Sequence, residues 1–164
     1  MNFSKTFKSA LIAAALGCLP MAASAAATAT TTFAVTATVQ ATCTVTATAM
    51  AFGTYVPTAA STSTSTVSVT CTNTTPYNVG LNGGTTTGGT VTGRLMAGSG
   101  GATLNYQLTQ DSTHATNWGN TTGSWVGGTG NGSAQAITVY GQVASGQYVA
   151  PGAYSDTITA TVNY

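Results

Sequence analysis

Asp111 and His114 stand three residues apart in a polar stretch and form the nearest approach to an acid–base pair in this 164-residue chain. Serine hydrolysis would need a serine activated by that histidine, with the aspartate holding the imidazole in its working tautomer. Serines are plentiful, yet no Gly-x-Ser-x-Gly elbow accompanies them, so the pair reads as part of a solvated loop. Asp111 and Asp156 are the only side-chain carboxylates, and Asp156 adjoins the last apolar alternation, which argues against the facing acids of a glycosidase. The glycine run at residues 127–132 lacks the spacing and the following helix of a phosphate loop. Trp118 and Trp125 flank a glycine-containing stretch and would suit a sugar-binding surface, although tryptophan serves core packing as readily. The chain is therefore expected to be no enzyme, with no cofactor and no metal.

The compartment is set by the first residues. Lys5 and Lys8 form a positive start, residues 10–19 are apolar but too short to span a bilayer, and Ala23-Ser24-Ala25 is a small-residue cleavage site. Residues 1–25 are thus expected to be a signal peptide, with export through the periplasm to the cell surface or medium. A lipoprotein start at Cys18 is the rival, weakened because Leu16 sits one place too close for a good lipobox. Cleavage would remove both lysines and leave Arg94 against Asp111 and Asp156, a net charge of −1. Such a chain has no electrostatic footprint for nucleic acid or anionic lipid. Cys43 and Cys71 remain, and two cysteines in an oxidising compartment are expected to pair.

Period-two alternation recurs through the rest. Cys43, Val45, Ala47 and Ala49 share one face, as do Val67, Val69 and Cys71, and then Tyr77, Val79 and Leu81. Leu104, Tyr106 and Leu108 follow, then Ile137, Val139, Gly141 and Val143, and lastly Ile158, Ala160, Val162 and Tyr164. Turn signals such as Asn82-Gly83 and Pro151-Gly152 separate them. The Ser/Thr-rich residues 61–66 are expected to be a loop, and a loose hairpin is expected around Arg94-Leu95-Met96. About six strands of this kind imply an all-β sandwich, one short of the seven usual in an immunoglobulin-like fold. A groove exposing core side chains and unpaired backbone groups would follow, with Ile158, Ala160, Val162 and Tyr164 on the strand beside it.

The orphan strand lies at the other end. In Thr32-Phe33-Ala34-Val35-Thr36-Ala37-Thr38-Val39-Gln40, the side chains of Phe33, Val35, Ala37 and Val39 share a face, before the first cysteine of the domain. Fully extended, the seventeen residues 26–42 reach roughly 55 Å at about 3.3 Å each. Burying Phe33, Val35 and Val39, with less from Ala37, is worth roughly 5–9 kcal/mol before ordering costs. A donor segment and an acceptor groove on one subunit make a head-to-tail contact that need not close, which generates a filament.

These residues resemble the spore coat protein U domain family, which includes subunits of archaic chaperone–usher pili. The resemblance rests on Cys43 with Phe52-Gly53-Thr54-Tyr55, Val67-Ser68-Val69-Thr70-Cys71, and Pro76-Tyr77-Asn78-Val79-Gly80-Leu81-Asn82-Gly83. Arg94-Leu95-Met96, Leu104-Asn105-Tyr106-Gln107-Leu108, Trp118-Gly119, Tyr140-Gly141 and the run from Gly152 to Tyr164 follow in order. It implies an incomplete immunoglobulin-like sandwich lacking its final strand. A periplasmic pilus chaperone would first lend that strand, and at an outer-membrane usher the N-terminal extension of the next subunit would replace it. The implied organisation is a signal peptide at 1–25, a donor extension at 26–42 and the sandwich at 43–164. The expected function is that of a fimbrial subunit, polymerising with copies of itself or related pilins and supporting adhesion and biofilm formation. The rivals are a secreted coat or matrix protein whose extension closes its own fold, and a glycan-binding adhesin.

Overall fold

A computed structural model describes residues 26–164; the expected signal peptide and the Cys18 alternative lie outside the described residues. Two units are distinguished, Met1–Ala37 and Thr38–Tyr164. In the first, the described residues carry no regular secondary structure and are solvent-exposed.

The second unit is an immunoglobulin-like sandwich of two antiparallel sheets. Its strands are β1 (Cys43–Ala47), β2 (Ser61–Cys71), β3 (Pro76–Leu81), β4 (Arg94–Ala97), β5 (Thr103–Thr109), β6 (Val126–Thr129), β7 (Gln135–Val143) and β8 (Ala160–Asn163). One sheet runs β1-β2-β7-β5-β4 and the other β6-β3-β8. Among the described residues the only helical turn is a 3-10 turn at Ser99–Gly101. Threonine and valine, branched at Cβ, favour the pleated backbone, and glycine and asparagine supply the turns.

The alternating residues meet where period two requires. Val67, Val69 and Cys71 from β2, Leu104, Tyr106 and Leu108 from β5, and Val139 and Val143 from β7 face Tyr77, Val79 and Leu81 from β3, all buried. Trp118 joins them with no exposed surface. Cys43 lies directly opposite Cys71 in the β1–β2 register, and the two form a disulfide. Their sequence separation of 28 residues corresponds to a stabilisation of about 3.5 kcal/mol through the unfolded chain. Changing both to serine is therefore expected to lower the unfolding free energy by about 3–4 kcal/mol, read from urea midpoints at constant slope.

Three local readings are corrected. Residues 61–66 are not a loop but the first half of β2, paired with β7 from Ser61↔Val143 to Thr66↔Thr138. Threonine-rich composition resembles a linker, yet Ser61, Ser63 and Ser65 are half-buried while Thr62 and Thr64 are exposed, which is strand alternation in polar residues. Arg94-Leu95-Met96 is not the bend of a loose hairpin but part of edge strand β4, the first arm of an antiparallel hairpin with β5, with Arg94 opposite Tyr106. The glycine run at residues 127–132, a turn by composition, begins inside β6 (Val126–Thr129), which pairs with β3. Its glycines make room for an aromatic neighbour: a Cβ on Gly128 would come within 2.5 Å of the Tyr77 ring. Eight strands thus replace the expected six, the additional two being only four residues long.

Candidate functional site

Strand β1 pairs only with β2, and β8 only with β3, among the described residues. The outer edges of both strands are therefore open, one at the end of each sheet. A cleft of about 460 Å³ opens between the sheets on this side. Its floor is core: Val67, Leu81, Leu108 and Val139. Residues 47–50 and Phe52 line one wall, and Tyr154 to Ile158 with Ala160 line the other. An apolar trough flanked by strands with unused backbone donors and acceptors can take up one further extended segment.

The first wall is built by the chain leaving β1. The Thr48 N–H donates to the Thr66 carbonyl (3.0 Å), and the Thr66 N–H donates to Thr48 Oγ1 (3.0 Å). This extends the β1–β2 connection by one residue and then turns the chain inward. Met50 and Phe52 settle on Gly141 of β7, where a Cβ would stand 2.2 Å from the methionine sulfur and 2.9 Å from the phenyl ring. Phe52 meets Tyr106 edge-on with ring centres 6.1 Å apart, a favourable aromatic geometry.

The opposite wall hangs on Asp156. Its Oδ1 accepts the N–H groups of Thr85 (2.9 Å) and Thr86 (3.1 Å) and both their hydroxyls, while Oδ2 accepts the Tyr106 hydroxyl at 2.7 Å. Gly84 is required here: its φ is +92°, and a Cβ would stand 1.9 Å from Asp156 Oδ2. Ser155 and Ala97 exchange backbone hydrogen bonds of 2.8 and 3.0 Å, tying this segment to β4.

Beneath it lies Arg94, with no exposed surface. Its guanidinium donates to four backbone carbonyls: Asn82 (2.9 Å), Val91 (2.8 Å), Leu81 (3.1 Å) and Trp118 (2.6 Å). The planar fork thus holds the end of β3 to two loops. Burial lowers the Arg94 pKa, opposed by the nearby Tyr106 and Asp156. Burial also pushes the Tyr106 phenol up, aided by its hydrogen bond to Asp156. Burial works against the Asp156 carboxylate as well, but the Tyr106 hydroxyl and the backbone N–H groups of Thr85, Thr157 and Thr86 outweigh it and hold the pKa below its ordinary value.

That depression has a pH signature. A carboxyl whose folded pKa lies below its unfolded one contributes full stability above the unfolded value, about 3.9, and loses it as pH falls through the folded pKa. Asp156→Asn is expected to lower the urea midpoint at pH 7, and the gap to the unaltered protein should shrink as pH drops below about 4. Urea titrations at both pH values check this.

The other candidates fall into place individually. Ile158 and Ala160 line the cleft, but Val162 packs on the core opposite Val79 and Tyr164 is 61% exposed. Phe33, Val35 and Val39 are 85, 84 and 85% exposed, and Ala37 is exposed too. Asp111 turns its carboxylate to the N–H groups of Thr113 (3.0 Å), Ala115 (3.1 Å) and Thr116 (2.7 Å) and to the Thr113 hydroxyl, which lowers its pKa. His114, at a φ of 57°, places Nδ1 3.1 Å from Thr109 Oγ1. The Asp-x-x-His pair therefore closes a loop. Trp118 is no ligand platform: it is fully buried, and its indole N–H donates to the Val79 carbonyl at 2.8 Å. The roles of Met50, Phe52 and Gly141 escaped the sequence reading. The one available signal was a glycine interrupting the β7 alternation.

Known proteins share both sequence and fold with this chain. Protein U of Myxococcus xanthus is 41% identical over 61 residues, which are 37% of this chain and 34% of that protein. A chain of the CsuC–CsuE chaperone–tip adhesion subunit pre-assembly complex, from the archaic chaperone–usher Csu pili of Acinetobacter baumannii, superposes with a TM-score of 0.60. It is 22% identical, over 77% of this chain and 41% of that one, a likeness of fold. The aligned parts thus span less than half the length of either relative. The Spore Coat Protein U domain matches residues 29–161, nearly the whole described chain, and the protein belongs to that family.

Proposed function

We propose that the chain is a structural subunit of a surface pilus, polymerised by donor-strand complementation. The observation that carries this reading is the cleft between the open edges of β1 and β8. The segment suited to fill the cleft of a neighbouring copy is the exposed alternation Phe33, Val35, Ala37 and Val39. An extended strand laid there would pair its backbone with one or both edges and place every second side chain on Val67, Leu81, Leu108 and Val139. Residues 26–42 act as the donor extension and 43–164 as the acceptor domain. The kinship of the fold with the Csu complex supports a periplasmic chaperone as the first occupant of the cleft and related pilins as later ones. Assembly at an outer-membrane usher, display as a fimbrium, and support of adhesion and biofilm formation complete the proposal.

The rival reading is a secreted coat protein closed by its own extension, favoured by the local identity to Protein U. A glycan-binding adhesin is weaker, since Trp118 is committed to the core. Deletion of residues 30–39 tests the pilus reading in cells that also make the chaperone and usher. Electron microscopy is expected to show no fibres, with the subunit retained on its chaperone. Fibres of normal number from the deletion would refute donor use.

A further inference from the structure

Residues 26–164 contain two methionines, Met50 and Met96, and both line the cleft. Each is half-buried in the free chain. The Met50 sulfur rests on the backbone of Gly141, at a place where a Cβ would stand only 2.2 Å away. Met96 belongs to β4 and reaches the same cleft from the far edge of its sheet. The thioethers are thus the oxidisable groups of an otherwise inert trough, because both described cysteines are locked in the disulfide.

We propose that Met50 and Met96 form an oxidation site that switches the cleft between strand-accepting and strand-refusing states. The inference rests on the strand-accepting reading of the cleft. Hydroperoxides are the oxidants in question. The peroxide O–O bond breaks, its terminal oxygen is transferred to the methionine sulfur as an S–O bond, and water or an alcohol leaves. Sulfur loses two electrons and the peroxide gains them. A flexible apolar side chain becomes a polar one with a strong acceptor oxygen.

Of the hydroxyls lining the cleft, that of Tyr106 already donates to Asp156 and that of Ser65 to the Thr48 carbonyl, while those of Ser155 and Thr157 lie on the wall opposite Met50. A bound strand would take up the edge N–H groups, so a Met50 sulfoxide beneath it would be left without a donor. Covering an unsatisfied sulfoxide with a bound strand therefore opposes binding, while the empty cleft leaves it in water. A filled cleft, conversely, shields both sulfurs from the oxidant.

The full chain tests this with hydrogen peroxide as the probe. Monomeric protein is oxidised, its sulfoxides are counted by mass spectrometry, and assembly is read as a heat-sensitive ladder on unheated SDS gels. Oxidation at both methionines is expected to slow ladder formation about tenfold or more, the factor that one unsatisfied buried acceptor represents. Methionine sulfoxide reductase should restore the rate, and preassembled ladders should resist oxidation. A Met50→Leu/Met96→Leu chain should assemble and ignore peroxide. Reductase rescue decides the matter on the unaltered protein if that variant does not fold. Equal ladders from oxidised and untreated monomer would overturn the switch and leave strand exchange standing. Equal oxidation of monomer and ladder would do the same. No ladder from untreated chain would overturn strand exchange itself, and the switch with it.

Discussion

Subunits carrying Val35→Asp are expected to fold normally and remain monomeric, while subunits carrying Thr36→Asp assemble. Val35 is 84% exposed in the free chain, so a carboxylate there costs the folded domain nothing measurable. In a cleft filled as proposed, the same position would be turned toward the apolar floor that includes Val67, Leu81 and Val139. The variant loses about 1.5–3 kcal/mol of valine burial and adds an unpaired charge against an apolar floor. The combined effect exceeds a hundredfold in the equilibrium for exchange. Residue 36 points to the opposite side of an extended strand, so its carboxylate stays in solvent. Melting curves check folding, and ladder formation checks assembly. Similar loss from both variants would mean that the segment does not bind as a strand with one buried face.

Replacing Arg94 with methionine is expected to lower the unfolding free energy by roughly 3–5 kcal/mol, a fall in melting temperature of about 10–20 °C. The stem volume is kept, so the loss falls on four carbonyls, those of Leu81, Asn82, Val91 and Trp118, whose donors disappear together. Two of those carbonyls sit at the end of β3, under the wall that Asp156 anchors. The damage therefore extends to the cleft. Lysine is expected to rescue little, because a single ammonium cannot reproduce a fork spread over four acceptors. Thermal unfolding of both variants, with ladder formation at a temperature where both are folded, separates stability from assembly. Full rescue by Arg94→Lys would show that charge rather than geometry is what this position supplies.

Much of the sandwich was legible because its core strands alternate cleanly. Val67-Ser68-Val69-Thr70-Cys71 and Leu104-Asn105-Tyr106-Gln107-Leu108 place every second residue in the interior, and period two suffices to find them. The first half of β2 was hidden because serine and threonine carry its alternation, so burial varies without any change in hydropathy. Strands β4 and β6 span four residues each, too short for periodicity to rise above composition. Arg94, the one cation left after the expected cleavage, donates to four backbone carbonyls at the end of β3 and in two loops, whose convergence is a product of tertiary structure. Ile158 and Ala160 were marked beside the groove from the last alternation, whereas Met50 and Phe52 were not. Residues 50–60 have no period to read, and the missing Cβ of Gly141 is what makes room for those two side chains to turn inward.

In the proposed fibre, residues 30–39 of one subunit complete the sandwich of another. Electrophoresis of the purified chain spanning residues 26–164 in SDS, with and without heating, puts that exchange to the test. A ladder of oligomers that collapses to monomer on boiling, and is absent when residues 30–39 are deleted, is the expected result. A lone monomer whose folding depends on that segment would contradict the claim and identify a domain closed by its own strand.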